Sequence, residues 1–432
     1  MRPLSCLVSI VLLAMVSELH AENWPQWRGP SGDGVTHETA LPLEWGESQH
    51  VRWKAPLAGL GTSSPIVWGD RIFVTSQLGM GPLDRRGAEF DDAVQARDYG
   101  SPSGVEFLVQ AFDRTGASVW QYRLPKGSAS EALPAVHPKH SLASPSVVTD
   151  GKRVYAWMGN GQFVALTLDG ELAWARDLAA DYAPFDVLWG HGSSPLLLDE
   201  TVILLCDHPG GAYMLALDVE TGRERWKVDR GSGIRSYSTP FLASGASGDE
   251  LIVNGSHRLE SFDPETGELL WYAGEKVTLA IGMPVRAGQT LYASRGYSSG
   301  PYFAIELGGR GDVNESHVKW HVPTRAPYIS SLIYYENLLF MATERGVASA
   351  VDPETGETLW RERLGGAFTA SPVAGDGKVY LTNEAGSTFV LEPSVPPKVL
   401  SRNELDERVL ASPAISNGTI FVRSDAHLIA IR

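Results

Sequence analysis

The sequence predicts an all-β protein in which eight four-stranded antiparallel sheets surround a common axis. Three observations predict this fold: a turn followed by tryptophan that recurs along the chain, a small residue followed by proline that recurs at a similar spacing, and glycine-containing turns between short apolar runs. Self-similarity at a fixed period of about 20–50 residues is typical of repeat folds. The 45 glycines and 27 prolines among 432 residues suit many short strands joined by many turns.

The first pattern is an aspartate, a nearby glycine and then a tryptophan, seen most fully at residues 218–226, 263–271 and 352–360. The aspartate accepts backbone N–H groups of the turn, and the glycine takes its left-handed position. The tryptophan then falls on the fourth strand of its unit. Degenerate copies lead to Trp320 and, without the aromatic residue, to 397–399. The predicted structural tryptophans are Trp53, Trp120, Trp174, Trp226, Trp271, Trp320 and Trp360.

The second pattern marks the start of each unit. From Pro145 the intervals to 195, 240, 284, 332, 372 and 413 are 50, 45, 44, 48, 40 and 41 residues. Residues 371–391 show how one unit becomes a sheet, because Gly-Asp-Gly and Glu-Ala-Gly turns separate three short strands. A lone four-stranded sheet cannot cover both of its apolar faces, so neighbouring sheets must stack. Radial closure protects their edges, which predicts a β-propeller.

Counting the unit starts from Pro65 gives eight blades, the last of which has only three strands before Arg432. The segment 50–57 carries Trp53 but precedes the first unit. We therefore expect this N-terminal strand to join the C-terminal blade and close the ring. The alternative is seven blades, with the weakest unit, 281–323, merged or displaced.

The chain divides into four predicted parts. Residues 1–21 read as a cleavable signal peptide, since Arg2 precedes an apolar run (4–16) that falls short of the roughly 18 residues a membrane span needs. An uncleaved anchor is the alternative. Residues 22–49 form an N-terminal extension, and 50–432 form the propeller domain with an inserted loop at 78–106. We expect a periplasmic or secreted protein without a transmembrane segment in its mature chain.

Charge and cysteine content narrow the partners. A formal net charge of −15 repels phosphate backbones, so nucleic acid is not an expected partner. After cleavage the only remaining cysteine is Cys206, in an apolar run, so no intrachain disulfide forms and stability depends on packing. We expect a monomer.

The repeat resembles the PQQ-like β-propeller repeat, and residues 216–226 (Ala-Leu-Asp-Val-Glu-Thr-Gly-Arg-Glu-Arg-Trp) match it almost fully. The resemblance covers roughly residues 50–432, and the opening 24–30 (Trp-Pro-Gln-Trp-Arg-Gly-Pro) resembles the start of many exported bacterial members. The family includes quinoprotein alcohol dehydrogenases and the propeller lipoprotein of the outer-membrane β-barrel assembly machinery. The resemblance therefore implies the fold more firmly than the function.

Cofactor expectations follow from what the family's dehydrogenases need. They bind PQQ between a tryptophan floor and an adjacent-cysteine disulfide, beside calcium held by Glu, Asn and Asp. This sequence has no Cys-Cys pair and no Cys-x-x-Cys-His. We expect no cofactor and no metal, with PQQ or Ca²⁺ as the alternative.

A polar and aromatic cluster is the candidate ligand site. In a propeller, the loops before the first strands line one mouth of the axial channel, and several polar groups fall there or after second strands. The alternative is that these groups only hydrogen-bond neighbouring loops. The candidate ligand-binding residues are His140, Asn160, Trp189, His191, Ser194, Asp207 and His208, with His137 near the second unit.

The sequence lacks His-Glu-x-x-His and a phosphate-cradling glycine loop. We assign no catalytic residue. The expected function is a non-catalytic scaffold of the cell envelope that binds a protein partner or a small ligand. The alternative is a divergent quinone- or metal-dependent oxidoreductase related to the quinoprotein dehydrogenases.

Overall fold

The protein is described by a computed structural model. The signal peptide predicted at residues 1–21, and the centre of the predicted insertion, lie outside the described residues. Among the residues that the structure describes, no helix is both long enough and apolar enough to cross a membrane. The described residues are 22–46, 49–80, 103–128, 133, 136–137, 139–185, 187, 189–297 and 299–432.

Eight antiparallel sheets are present, so the prediction of an eight-bladed β-propeller is confirmed. Seven blades take four consecutive strands each, apart from the short β21. Blades 1 to 4 comprise β2 (Ile66–Trp68), β3 (Arg71–Met80), β4 (Ser103–Asp113) and β5 (Ser118–Arg123); β6 (Val148–Thr149), β7 (Arg153–Trp157), β8 (Gln162–Thr167) and β9 (Leu172–Asp177); β10 (Leu196–Leu198), β11 (Thr201–Cys206), β12 (Ala212–Asp218) and β13 (Glu224–Gly231); β14 (Phe241–Gly245), β15 (Gly248–Asn254), β16 (Leu259–Phe262) and β17 (Leu269–Ala273).

The remaining four blades continue in the same order, and a one-turn helix, α1 (Leu178–Asp181), follows β9. Blades 5 to 8 comprise β18 (Val285–Ala287), β19 (Thr290–Ser294), β20 (Tyr302–Glu306) and β22 (Val318–Val322), with β21 (Gly311–Asp312) between the last two; β23 (Ile333–Tyr335), β24 (Leu338–Ala342), β25 (Val347–Val351) and β26 (Thr358–Arg363); β27 (Val373–Gly375), β28 (Lys378–Thr382), β29 (Ser387–Glu392) and β30 (Lys398–Glu404); β31 (Ala414–Ser416), β32 (Thr419–Arg423), β33 (His427–Ile431) and β1 (Val51–Pro56).

The N-terminal strand closes the ring as predicted. β1 pairs antiparallel with β33, with Trp53 opposite Ala430 and Ala55 opposite Leu428. The first strands of neighbouring blades contact one another, for example β2 with β6 and with β31, which places them nearest the axis. Blade 8 therefore contains both the first and the last strand of the described chain.

Burial changes from the middle of a blade to its outer edge. The second and third strands are buried on both faces: β11 and β12 are buried except for Thr201 and Asp218, which are half-buried. The fourth strands alternate between exposed and half-buried side chains, as in β5. Face-to-face stacking of neighbouring sheets explains this gradient, because only the outer strand borders solvent.

Five tryptophans of the repeat fasten their blade to the next one: Trp53, Trp120, Trp174, Trp226 and Trp320. A bulge before each tryptophan sets it opposite a small residue of the third strand, as where Trp226 faces Ala216. Its ring then packs on the turn glycine of the following blade: a Cβ on Gly222 would lie 2.6 Å from the Trp174 ring. The indole N–H groups of Trp53, Trp120, Trp174 and Trp320 donate to carbonyls of that turn at 2.8–2.9 Å.

The weakest repeat, 281–323, forms blade 5, so the seven-blade alternative is wrong. Its third and fourth strands are separated by a long connection that contains β21. β21 pairs in parallel with β17 and adds a fifth strand to blade 4. Trp271 lies under this addition, is fully buried, and donates to Glu250 Oε2 at 2.5 Å.

The N-terminal extension runs inside the channel. Trp24 exchanges both backbone hydrogen bonds with Val67 of the first strand of blade 1, at 2.8 and 2.9 Å. Farther on, Thr36 donates to Ala374 of the first strand of blade 7 at 2.9 Å. Leu41 then donates to Asp376 in the turn after that strand. The extension therefore closes the channel at the end where the first strands turn into the second.

The flanks of the predicted insertion belong to the first blade. β3 and β4 stay paired from Leu78 opposite Glu106 to Met80 opposite Ser103. Residues 81–102 lie outside the described residues.

Candidate functional site

A cavity of about 550 Å³ lies at one mouth of the channel. The N-terminal extension covers the opposite end. The cavity is formed by the segments that precede the first strands, as the sequence predicted for a channel mouth. Every blade contributes at least one side chain. Most of the lining consists of hydroxyl-bearing and aromatic residues, and the polar members of the first three blades are Thr62, Ser64, His137, Lys139, His140, Ser144, Ser146 and Ser194.

A belt of hydroxyl groups links the blades around this mouth. The backbone N–H of one blade donates to the side-chain oxygen of the next: Ser64 to Ser146, Ser146 to Ser194, and Ser194 to Thr239, at 2.9–3.0 Å. The belt continues from Met283 through Ser331, Ser371 and Ser412 at the same distances. Because Met283 carries no hydroxyl, the belt is interrupted between blades 4 and 5.

In blade 2 the residue that joins the belt is not the serine that directly precedes the proline of the sequence pattern. Val148 pairs with Tyr155 as Ile66 pairs with Phe73, so the equivalent of Ser64 is Ser146. The sequence pattern instead aligned Ser144-Pro145 with Ser64-Pro65. Ser144 sits two residues earlier, where its hydroxyl donates to the carbonyl of Ser141 at 2.8 Å.

The floor of the cavity comes from the extension. Trp27 lines the cavity and also contacts the start of the first strands of blades 3 and 4, beside Leu196 and Phe241. Its neighbour Arg28 is 1% exposed and donates through Nη2 to the carbonyls of Asp33 and Leu332. Burial lowers the pKa of Arg28 to about 10. These anchors fix Trp27 under the mouth.

Aromatic side chains form two separate parts of the wall. Trp189, held at a positive φ of 78°, meets His137 edge-to-face at 5.2 Å between ring centroids. Tyr297 of blade 5 and Tyr328, before blade 6, form a second edge-to-face pair at 4.7 Å. Both pairs line the cavity.

A salt bridge crosses the rim. Lys139, in the long connection between blades 1 and 2, binds Glu384 of blade 7 at 2.9 Å, and the two side chains are 5% and 12% exposed. Thr369 also donates to Glu384, at 2.6 Å. This ion pair links the connection to blade 7. Burial, followed by the charges of Lys139 and Arg408, lowers the pKa of His137 to about 4.

The structure brings three of the seven candidate ligand residues to the cavity: His140, Trp189 and Ser194. Asn160, His191, Asp207 and His208 are buried outside the lining. That any of the seven binds a ligand stays a prediction. Sequence reasoning did not single out Trp27, Lys139, Tyr237, Tyr297 or Tyr328. For Tyr237 a signal existed, because it is an aromatic residue two positions before Thr239-Pro240, in a segment that precedes a first strand.

His191 is enclosed by aromatic rings. Its centroid lies 4.2 Å from that of Trp157 and 5.7 Å from that of Phe185. Burial, with His140 and His208 nearby, lowers its pKa to about 3, so the ring is neutral at ordinary pH. Its carbonyl accepts from His140 Nε2 at 3.1 Å. His191 thus supports the wall behind His140 and does not face the cavity.

Asp207 takes part in a buried ion cluster between blades 3 and 4. Arg230 donates to Asp207 at 2.7 Å and to Glu260 at 2.8 Å, and its own side chain is 3% exposed. Ser236 also donates to Asp207. Breaking such a buried pair costs about 3–5 kcal/mol. The arrangement accounts for Asp207 by structural bonds alone.

The donor set does not fit the dehydrogenase cofactor. Calcium needs several carboxylate or carbonyl oxygens, yet the described residues lining the cavity include no Asp, Glu, Asn or Gln. Nor do the described side chains of His, Cys, Asp and Glu group in threes as a metal site would need. Cys206 is fully buried, and burial raises the pKa of its thiol, which makes it a poor nucleophile.

Comparison with known proteins shows the family. The family model described as outer membrane protein assembly factor BamB matches residues 105–344, 309–394 and 344–432. The chain belongs to this family, and the resemblance to PQQ-like repeat proteins is confirmed.

Individual relatives are distant. The outer membrane protein assembly factor BamB of Yersinia pestis is 22% identical over 73% of this chain and 66% of its own. Tetrathionate hydrolase of Acidithiobacillus ferrooxidans is 33% identical, over 30% of this chain and 26% of its own. The chain thus spans less than two thirds of the length of either relative.

Solved structures agree with the fold. BamB from Moraxella catarrhalis superposes with a TM-score of 0.58 at 16% identity, covering 88% of this chain and 96% of its own. The quinohemoprotein alcohol dehydrogenase ADHIIG from Pseudomonas putida HK5 gives 0.66 at 12% identity, covering 94% and 80%. At these identities the likeness shows the fold alone.

Proposed function

We propose that this protein is an exported, monomeric, non-catalytic propeller of the cell envelope that binds a partner or ligand in the cavity at its channel mouth. The observation that carries the proposal is the lining: aromatic rings and hydroxyl groups above a tryptophan floor. Concave sites with aromatic walls and a few polar groups are the usual form of ligand sites. Because the extension closes the opposite end, the cavity is a cup and not a passage.

The chemistry of the belt favours binding over catalysis. Ser146, Ser194, Thr239, Ser371 and Ser412 each accept a backbone N–H. Within the described chain, none of these five hydroxyls contacts an imidazole that could serve as a base, which nucleophilic catalysis requires.

Family membership supports a role in the envelope. The Yersinia relative is named an outer membrane protein assembly factor, and proteins so named work with other proteins. We carry over to this chain a protein partner and a periplasmic location. The predicted signal peptide is consistent with export.

Site-specific photocrosslinking tests the partner. A photoreactive phenylalanine replaces Tyr328 in the cup, and a control carries it at Leu359 on the exposed outer edge of blade 6. In envelope extract we expect one discrete adduct from position 328 and none from 359. Adducts from 359 alone, or from neither, would contradict binding in the cup.

Cofactor titration tests the alternative oxidoreductase. Purified protein mixed with PQQ and Ca²⁺ should show no saturable absorbance change and no dye-linked alcohol oxidation. A stoichiometric spectral change with turnover would overturn the non-catalytic proposal.

A further inference from the structure

We infer that the cup recognises an aromatic carboxylate: an aromatic ring bound against the tyrosine pair, with its carboxylate on the opposite, hydroxyl-bearing side. This inference rests on the proposed function and deepens it by naming the ligand chemistry. The ligand can be a free acid or the carboxy-terminal aromatic residue of a polypeptide, since both present the same group.

The two sides of the cup differ in character. Blades 5 and 6 contribute Leu279, Ile281, Tyr297, Tyr328 and Ile329 to the wall. Blade 5 is also where the belt lacks its hydroxyl, because Met283 takes that position. An apolar ring gains most by lying here, and aromatic pairs add about 0.5–1.5 kcal/mol beyond area burial.

The opposite side offers hydrogen-bond donors. Ser146 and Ser194 of blades 2 and 3 and Ser412 of blade 8 each accept one backbone N–H and donate to no described residue, so their O–H hydrogens remain available. Thr239 and Ser371 have the same bonding but belong to blades 4 and 7, next to the blades of the tyrosine pair. A hydroxyl that has one lone pair already engaged acts best as a donor. Such a side matches a ligand group that only accepts, as a carboxylate does.

Charge also favours an anionic ligand over a cationic one. The described lining has no carboxylate, whereas Lys139 stands at the rim with its partner Glu384 outside the lining. A cationic ligand would therefore find no counter-charge in the cup. The Lys139 ammonium is already paired with Glu384, so an anionic ligand would be bound chiefly by the hydroxyl donors. Hydrogen bonds to a charged group are roughly twice as strong as neutral ones.

The volume of the cavity fits a ligand that consists of one aromatic residue and a few neighbouring atoms. A volume of about 550 Å³ lies within the range of roughly 300–1,000 Å³ seen for small-molecule sites. Trp27 limits the depth, so a ligand enters end-on and does not pass through.

Calorimetric titration with three matched probes tests the inference: N-acetyl-phenylalanine, its neutral amide, and phenylalaninamide as the cation. We expect the acid to bind about tenfold more tightly than the neutral amide, the equivalent of one charge-assisted hydrogen bond, and the cation to bind most weakly. A second arm compares a seven-residue peptide ending in free phenylalanine with its amidated form. Tighter binding of the free-ended peptide than of the short acid identifies a protein terminus as the source; equal binding identifies a free acid.

Variants assign the binding to the two sides. Tyr328→Ala, and independently Tyr297→Ala, should weaken acid and amide about equally. Lys139→Gln leaves the Glu384 carboxylate uncompensated at the rim and should therefore weaken the acid but not the amide. Ser401→Ala, on the outer strand of blade 7, is the control and should change neither. Equal affinity for all three probes, or unchanged affinity in the Tyr328 and Lys139 variants, overturns the inference. Photocrosslinking from position 328 would still report a partner in that case, so the two proposals fail separately.

Discussion

At the scale of single residues, two glycines show how the repeat encodes contact between blades. Gly222 and Gly377 have nearly the same φ, 66° and 67°. A Cβ on Gly222 would lie 2.6 Å from the Trp174 ring, whereas one on Gly377 would meet nothing within 4 Å. The first glycine is therefore required by both backbone and packing, the second by backbone alone.

Replacing these glycines by alanine separates the two requirements. Gly377→Ala should cost about 1 kcal/mol for the left-handed backbone. Gly222→Ala should cost about 2–4 kcal/mol, since the displaced indole adds an overpacking cost of roughly 1–3 kcal/mol. Urea unfolding measures both. Equal losses would show that the glycine does not hold the tryptophan.

His191 makes stability depend on pH. Its pKa is lowered to about 3 in the folded protein, whereas an unfolded histidine titrates near about 6.5. Between these values the unfolded state binds more protons, so the free energy of unfolding falls as pH drops below about 6.5 and is unaffected above about 7. One such histidine contributes at most about 1.4 kcal/mol per pH unit.

Substitution isolates this contribution. In His191→Phe, which keeps a ring against Trp157, the loss of stability between pH 7 and pH 5 should be smaller than in the wild type by about 1–2 kcal/mol. Leu359→Ala, at an exposed position without a titratable group, serves as the control and should leave the pH dependence unchanged. If the variant and the wild type showed the same pH dependence, protonating His191 in the folded protein would carry no free-energy cost.

At the scale of elements, residues 22–36 of the extension act as an internal plug of the channel, whereas residues 43–45 lie along β30, the outer strand of blade 7. Trp24 is fully buried, Arg28 reaches Leu332, and Trp45 donates to Asn403 at 2.8 Å. These contacts join blades 1, 6 and 7, and none of them belongs to the repeat.

Deleting residues 22–46 while keeping the closing strand β1 should leave the β-sheet spectrum intact but open the channel. We expect lower urea stability, because at least one fully buried tryptophan is lost, worth about 3–5 kcal/mol. Binding of the hydrophobic dye ANS should increase, since the apolar inner strands become exposed. Unchanged stability and dye binding would mean that the extension does not occupy the channel.

The elements that belong to the repeat could be predicted from the sequence. The elements outside the repeat were harder to predict. Turn chemistry and the position of tryptophan are local, so blade number and the pairing of β1 followed from the sequence. The path of 22–46 depends on single contacts with residues more than 300 positions away, such as Arg28 with Leu332, which no local pattern encodes. Blade 5 matches the repeat pattern least well, and its long connection contributes β21 to blade 4.

The candidate site was predictable where it followed the repeat. His140, Trp189 and Ser194 precede first strands, and such segments border the axis. Asp207 and His208 follow a second strand, which lies one strand farther from the axis, so their side chains end between blades. Their polarity alone could not distinguish a ligand site from a buried ion cluster such as that of Asp207 and Arg230.

At the scale of the whole molecule, every part depends on the ring being closed by its own N-terminal segment. β1 lies on the outer edge of blade 8, and Trp53 packs on the turn of blade 1 through Gly116. The first and last strands of the described chain are thus joined in one sheet, which closes the ring.

Native-state hydrogen exchange followed by mass spectrometry tests this closure most directly. We predict that amides of residues 51–55 and 427–431 exchange together, at the slow rate of the other blades, and that amides of 24–36 are also protected. Fast exchange of 51–55, at the rate of an unstructured peptide, while the blades remain protected, would contradict ring closure by the N-terminal strand.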